Sequence, residues 1–324
     1  MKKISRWLAA GLLGLLAACT GGSDPLAQWE QAPNGSYAAD LTEDGRISVV
    51  STVDRGVLVW DLPQNKVRYQ WEHKEGAAND VFLVRISASG THAVTAGRND
   101  FVIWDLETGK AVGYYSQDQS SIRDIAISSY GRYVLIGRGD GKVEHVDLKT
   151  GRRLEFLGHT EKINSVDLSP NGRYALTGGN DYAAYLWDTQ SGQVIWRFNH
   201  GSRVSKVALD PMGRYAFTAD SQSKANIWSL KDGKRLSQLK IPARQLIFSA
   251  VRFANDGKWL ITGSPARRLQ LWDVLTGQQL KAWQVSARNK LRPSGGVIYS
   301  VALQDDNRII TTSSSGLAEA WSVQ

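Results

Sequence analysis

The groups that could do chemistry are few and scattered. The five histidines, His73, His92, His145, His159 and His200, include no pair at the spacing that would bring two imidazoles to one metal ion. Asp and Glu number 31, but most fall in turns or at strand ends, and no general acid–base pair stands out by spacing. There is no GxSxG motif and no Ser-His-Asp set. Arg138-Gly139-Asp140-Gly141-Lys142 has the Gly-Lys of a phosphate loop, but Ile136 stands where the first Gly is needed and Val143 where a Ser or Thr is needed. That stretch reads as a turn between strands. The single Cys, Cys19, follows Leu16-Ala17-Ala18, so the chain beyond it has no disulfide, thiolate metal site or Cys nucleophile. No catalytic residue, metal site or cofactor is expected.

What the chain has is a repeat. Hydrophobic residues make up 42% and charged residues 22%, a globular balance that excludes long disorder. Short β-branched and aromatic runs recur between clusters of Gly, Asn, Asp and Ser. In the stretch from His159 to Asp188 an apolar strand is expected over Ile163 to Leu168, a turn at Ser169 to Gly172, a second strand from Tyr174 to Thr177, and a turn at Gly178 to Asp181. A third strand then ends at Trp187-Asp188. Equivalent endings are Trp60-Asp61, Trp104-Asp105, Val146-Asp147, Trp228-Ser229, Trp272-Asp273 and Trp321-Ser322, so the seven are spaced by 44, 42, 41, 41, 44 and 49 residues. The first turn of each unit carries Gly45, Gly90, Gly131, Gly172, Gly213, Gly257 or Asn307, residues that accept positive φ at little cost. The turn after each third strand repeats this with Asn65, Gly109, Gly151, Gly192, Gly233 and Gly277.

The period, the Trp-Asp endings and Gly158-His159 resemble the WD-repeat β-propeller family, over residues 26–324. The resemblance implies an all-β fold: a seven-bladed β-propeller of four-stranded antiparallel blades. The last unit stops after its third strand, while Leu26 to Gln31 resembles the outer strand Arg68 to His73. Residues 26–31 are therefore expected to pair with residues 317–323 and complete the last blade. A six-bladed ring with two open edges is the alternative. The fourth unit carries the family's buried polar set, His159, Thr177, Asp181 and Trp187, which implies hydrogen bonds from imidazole to carboxylate and hydroxyl, with the indole N–H donating. The fifth and sixth units have Gln222 and Ala266 where Asp is expected, and the first keeps Asp54 and Trp60. The repeated Trp residues read as core between blades rather than as a ligand-stacking ring.

The N-terminus reads as a targeting segment. Lys2, Lys3 and Arg6 precede an apolar run, Trp7 to Ala18, that is too short to span a bilayer. With Leu16-Ala17-Ala18-Cys19 it resembles the signal peptide and lipobox of bacterial lipoproteins. The resemblance implies removal of residues 1–18, lipidation of Cys19, a tether over 19–25 and anchoring of the single domain 26–324 to a membrane. Thr20, where Asp would retain the protein at the inner membrane, implies the outer membrane, facing the periplasm. Without the three signal cations, 36 Lys and Arg face 31 Asp and Glu, a balance of +5 against +8 for the whole chain. That is compatible with anionic lipid or an acidic partner, and no nucleic acid is expected.

In a WD propeller the first strand of each unit starts at the narrower face. The residue after each unit's first apolar position then opens the central channel there: Tyr37, Phe82, Arg123, Asn164, Ser205, Ser249 and Tyr299. Three aromatics and an Arg have the composition of a binding hot spot, with a hydrated channel mouth as the alternative. The insertion from Val285 to Gly296 supplies Arg288, Lys290 and Arg292, and Arg267, Arg268 and Arg244 add charge nearby. A solvated loop is the alternative there. The reading is a monomeric, non-catalytic platform that binds protein through this face. An enzyme or small-molecule binder using the channel, and an accessory factor in outer-membrane protein assembly, are the alternatives.

Overall fold

The computed structural model describes residues 24–73, 76, 79–117, 119–241, 247–288, 296–305 and 307–324. Cys19 and the rest of the signal segment, Arg244, Lys290 and Arg292 lie outside the described residues. Within them the chain forms 28 strands, numbered β1 to β28 in chain order, and no helix. The strands make seven four-stranded antiparallel sheets, blades one to seven. The innermost strands are β2 (Ser36–Leu41), β6 (Leu83–Ile86), β10 (Ile122–Ile127), β14 (Ile163–Leu168), β18 (Val204–Leu209), β22 (Ala250–Ala254) and β26 (Ile298–Leu303). Each packs against the next around the axis, and β26 packs against β2, so the ring closes. The molecule is a seven-bladed β-propeller.

Burial sorts the strands by radius. Inner strands are covered on both faces, so β3 (Ile47–Thr52) is buried along nearly its whole length. Outer strands alternate: β5 (Lys66–Trp71) puts every second residue toward solvent. Apolar cores lie between neighbouring blades, as where Val49, Val57 and Val59 of blade one meet Val84, Ala93, Val102 and Trp104 of blade two. The repeated indoles belong to these cores, and Trp187, Trp272 and Trp321 are fully buried. Turn chemistry holds in every unit: Asn307 at φ +60° does in blade seven what Gly172 does at +74° in blade four. The second strand of blade four, β15 (Tyr174–Gly179), runs two residues past the expected Thr177.

The closure follows the expected pairing. β1 (Ala27–Glu30) lies antiparallel on β28 (Leu317–Ser322), with Ala27 opposite Ala320 and Glu30 opposite Leu317. Blade seven is thus β1, β28, β27 (Arg308–Ser313) and β26 in spatial order. Glu319 sits fully buried in this seam and accepts hydrogen bonds from Gln28 Nε2 (3.1 Å) and the Ser286 N–H (3.1 Å). Burial pushes its carboxyl above the usual range against those bonds.

Candidate functional site

All innermost strands start at one face, called here the starting face. The turns between second and third strands return to it, and the first-to-second turns lie on the opposite face. Near each start the ladder skips one residue. Tyr37, Arg123, Asn164, Ser205 and Tyr299 are the extra residues of β-bulges in β2, β10, β14, β18 and β26. Phe82 and Ser249 do the same just ahead of β6 and β22, because Phe82 and Leu83 both oppose Ala96, and Ser249 and Ala250 both oppose Gly263. A bulge leaves its extra residue outside the paired ladder and re-aims it. That is the local reason these seven positions carry varied side chains at the channel mouth.

Four of the seven are tied to the scaffold. Asn164 Nδ2 donates to Asn180 Oδ1 (2.8 Å) and to the Val204 carbonyl of the next blade (2.8 Å). Ser249 Oγ donates to the Ile298 carbonyl (2.7 Å), Ser205 Oγ to the Ala219 carbonyl (3.2 Å) and Tyr299 Oη to the Ser36 carbonyl (2.9 Å). Burial pushes the Tyr299 phenol up to about 12. The other three have no hydrogen bond or ion pair from their side chains among the described residues. Tyr37 is 39% and Phe82 45% exposed, with ring centroids 5.8 Å apart. Arg123 is exposed and has no bonding partner among the described residues.

The basic candidates separate in the same way. Arg288 reaches over Gly35 and donates to the Asn34 carbonyl (2.5 Å), clasping the loop before blade seven to the loop before blade one. Arg267, in a left-handed turn at φ +63°, donates to the Val285 carbonyl (3.0 Å). Both are structural ties. Arg268 opens β24 (Arg268–Asp273), half-buried, and its guanidinium has no partner among the described residues.

The polar set of blade four assembles with one correction. His159 Nδ1 lies 2.9 Å from Asp181 Oδ2, and Nε2 lies 2.9 Å from Thr177 Oγ1. Burial opposes ionisation of Asp181, but bonds from His159 and two backbone amides outweigh it and hold the carboxyl below the usual range. The Trp187 indole N–H does not join: it has no acceptor among the described residues, and the ring lies flat on Phe156 at 4.5 Å. Blade five was expected to lack its Asp because Gln222 stands at that position. It has a full set, with Asp220 two residues earlier lying 3.5 Å from His200, while His200 and Trp228 both bond Thr218. Blade two has one as well, from His73, Thr95, Asp100 and Trp104. In blade one Asp54 accepts from Asn34 Nδ2 (2.7 Å).

Motif reading missed a belt of charge inside the channel. Asp40, Arg85, Asp124, Asp167, Lys206 and Arg252 all come from innermost strands and face the axis. Arg85 pairs with Asp124 (2.6 Å), and Arg252 with Asp40 (3.3 Å) across the width of blade seven. Each Asp also accepts a backbone N–H from the next blade: Asp40 from Ile86 (2.8 Å), Asp124 from Val166 (3.0 Å) and Asp167 from Leu209 (2.7 Å). Burial holds the Lys206 ammonium below its usual range and the Asp167 carboxyl above its own. The signal was present as charged residues in strands otherwise apolar. These carboxylates are occupied by amides and cations, an arrangement that fastens blades. Among the described residues, no three His, Cys, Asp or Glu side chains converge in a way that could hold a metal ion.

Comparison with known proteins agrees with this architecture. A family model described as "WD domain, G-beta repeat" matches residues 151–188, which include the His159 set, and residues 239–273, which end at Trp272-Asp273. The chain is similar to the WD repeat-containing protein SL1-17 of Schistosoma mansoni, 28% identical over 109 residues, and to Autophagy-related protein 16 of Arabidopsis thaliana, 29% identical over 129 residues. These matches cover 32% and 39% of this chain, and 35% and 25% of the relatives' lengths. Among solved structures, a chain of a mitotic checkpoint complex crystal structure superposes with a TM-score of 0.75 at 17% identity, covering 100% of this chain and 99% of that one. The chain resembles the WD-repeat β-propeller family, whose domains typically serve as protein-interaction scaffolds.

Proposed function

We propose that this chain is a non-catalytic interaction platform, anchored through a lipidated Cys19 in a bacterial envelope, that binds a protein partner on the starting face. The observation that carries the reading is the freedom of Tyr37, Phe82 and Arg123. Three bulges present two aromatics and an Arg at the channel mouth, while the neighbouring bulge residues are used up in holding blades together. Aromatic side chains on a rigid frame lose little entropy on binding, and aromatic and Arg residues are enriched among those that supply most of the energy at protein interfaces.

The direction of the chain supports the orientation. β1 runs from the opposite face toward the starting face, so Asp24 to Leu26 enter on the opposite face. Thr20 to Pro25 reach roughly 20 Å at full extension. The lipid then attaches near the opposite face, and the starting face looks away from the membrane, the outer membrane by this reading.

Photo-crosslinking in the native envelope tests the platform. Photoreactive residues at Phe82 and Arg123, with Lys149 on the opposite face as control, are expected to give discrete protein adducts from the first two alone. Adducts from Lys149 alone would reverse the faces, and none from any site would remove the platform. The anchor is tested separately: Cys19→Ala is expected to abolish palmitate incorporation and release the protein from the membrane fraction. Retention of both would refute lipidation.

A further inference from the structure

Charge is unevenly spread over the starting face. On blades six and seven it carries Arg267, Arg268 and Arg288. Between blades one and two it carries acid. The turn Val53-Asp54-Arg55-Gly56 faces Asn79 and Asp80, and between them lies a groove with Tyr37 in its lining. Asp54, Glu72 and Asp80 line it, all three exposed, and none forms an ion pair with a described cation. Among the described residues Asp54 accepts only a neutral bond from Asn34, and Glu72 one from the Gly76 N–H (3.3 Å). Arg55 on the rim offsets one of the three charges.

The groove continues an apolar spot. Val53 is 42% exposed, and of the two exposed aromatics Tyr37 lines the groove and Phe82 stands beside it. Exposed carboxylates beside exposed aromatics suit a ligand that is apolar at one point and cationic a few ångströms away. The same carboxylates repel phosphate and carboxylate ligands, which disfavours a lipid headgroup or a nucleic acid.

We propose that this groove docks an extended segment of the partner polypeptide, which lays an apolar side chain against Tyr37, Phe82 and Val53 and sets a Lys or Arg among Asp54, Glu72 and Asp80. The proposal rests on the platform reading and gives that platform's partner a chemistry. The segment is extended because the groove runs outward from the channel mouth between two blade edges.

The test places a photoreactive residue at Val53 in the full-length protein in its native envelope, with Arg123 and Lys149 as companion sites, and maps the adducts to residues by mass spectrometry. The expected result is a protein adduct at Val53 whose crosslinked residue has a Lys or Arg within a few positions. The double variant Asp54→Lys/Asp80→Lys, confirmed to unfold at the parent temperature, should reduce that adduct about tenfold or more. Raising salt should weaken it in the parent alone. An Arg123 adduct without one at Val53 overturns the groove and leaves the platform standing, as does a Val53 adduct indifferent to charge reversal. A phospholipid adduct at Val53 overturns the groove assignment in favour of a membrane contact. Protein adducts from Lys149 alone, or from no site, overturn the platform and the groove together.

Discussion

Four indoles of this ring donate to a threonine hydroxyl and two have no acceptor among the described residues. Trp104, Trp228, Trp272 and Trp321 reach Thr95, Thr218, Thr262 and Thr311 at 2.7–3.1 Å. Trp60 has none because Val50 stands where those blades have Thr. Trp187 has Thr177 in register but does not reach it. Trp272 and Trp187 are equally buried, so their Phe variants lose similar packing and differ by one hydrogen bond. Trp272→Phe should cost about 1 kcal/mol more than Trp187→Phe in urea unfolding, because only the first leaves a threonine hydroxyl without its donor. Equal costs would mean that the indole bonds contribute nothing net. Acid sensitivity is also set residue by residue. His145 is buried against the Tyr133 ring, and burial pushes its pKa down to about 4. The native state resists the proton that the unfolded chain takes up near 6.5. The contribution is therefore fully present above that value and is lost as pH falls from about 6.5 to about 4, about 3 kcal/mol in all. His145→Phe should flatten that limb of the stability–pH curve, measured by chemical denaturation at several pH values, and an unchanged limb would assign it elsewhere.

At the scale of elements, what was legible in the sequence was whatever backbone geometry demands. The left-handed turns needed Gly or Asn, so Gly172 and Asn307 could be aligned by type and gave the count of seven. The closing strand was legible because Gln28-Trp29-Glu30 repeats Gln70-Trp71-Glu72 and the last unit lacked an outer strand. Side-chain function was less legible, because one chemical task can be met from several positions. Asp220 takes the role expected at the place of Gln222, since a carboxylate two residues back in the strand still comes within 3.5 Å of His200. Spacing put Arg288 and Tyr299 among the free binding candidates, but a flexible guanidinium or a phenol can turn inward to a carbonyl, as both do. The closing strand also makes a prediction. Removing residues 24–31 exposes the β28 edge and deprives buried Glu319 of Gln28. The truncated chain should unfold several degrees lower or more and aggregate through that edge, read by thermal melting and light scattering. A melt and scattering like the parent's would show that the ring holds without the strand.

For the whole molecule, the channel belt turns seven sheets into one ring. Neighbouring blades share apolar cores, which are non-directional and tolerate sliding. The belt adds direction: each Asp of an innermost strand receives the N–H of a named residue in the next blade. Asp40 is the hub. It accepts from Ile86 N–H of blade two, from Ser300 Oγ of blade seven (2.6 Å) and from Arg252 of blade six, which also donates to the Leu41 and Thr42 carbonyls. One carboxylate thus ties blade one to blades two, six and seven. Asp40→Ala should cost about 3–5 kcal/mol, because it leaves the Arg252 guanidinium in the channel wall without its counter-charge and the Ile86 N–H without its acceptor. Arg252→Met should cost less, since Asp40 keeps its amide and hydroxyl donors. The double variant should be milder than the sum of the two, by about 1–3 kcal/mol in a double-mutant cycle. Strict additivity would mean that the two charges act independently, and the belt would then be a set of separate caps on separate strands.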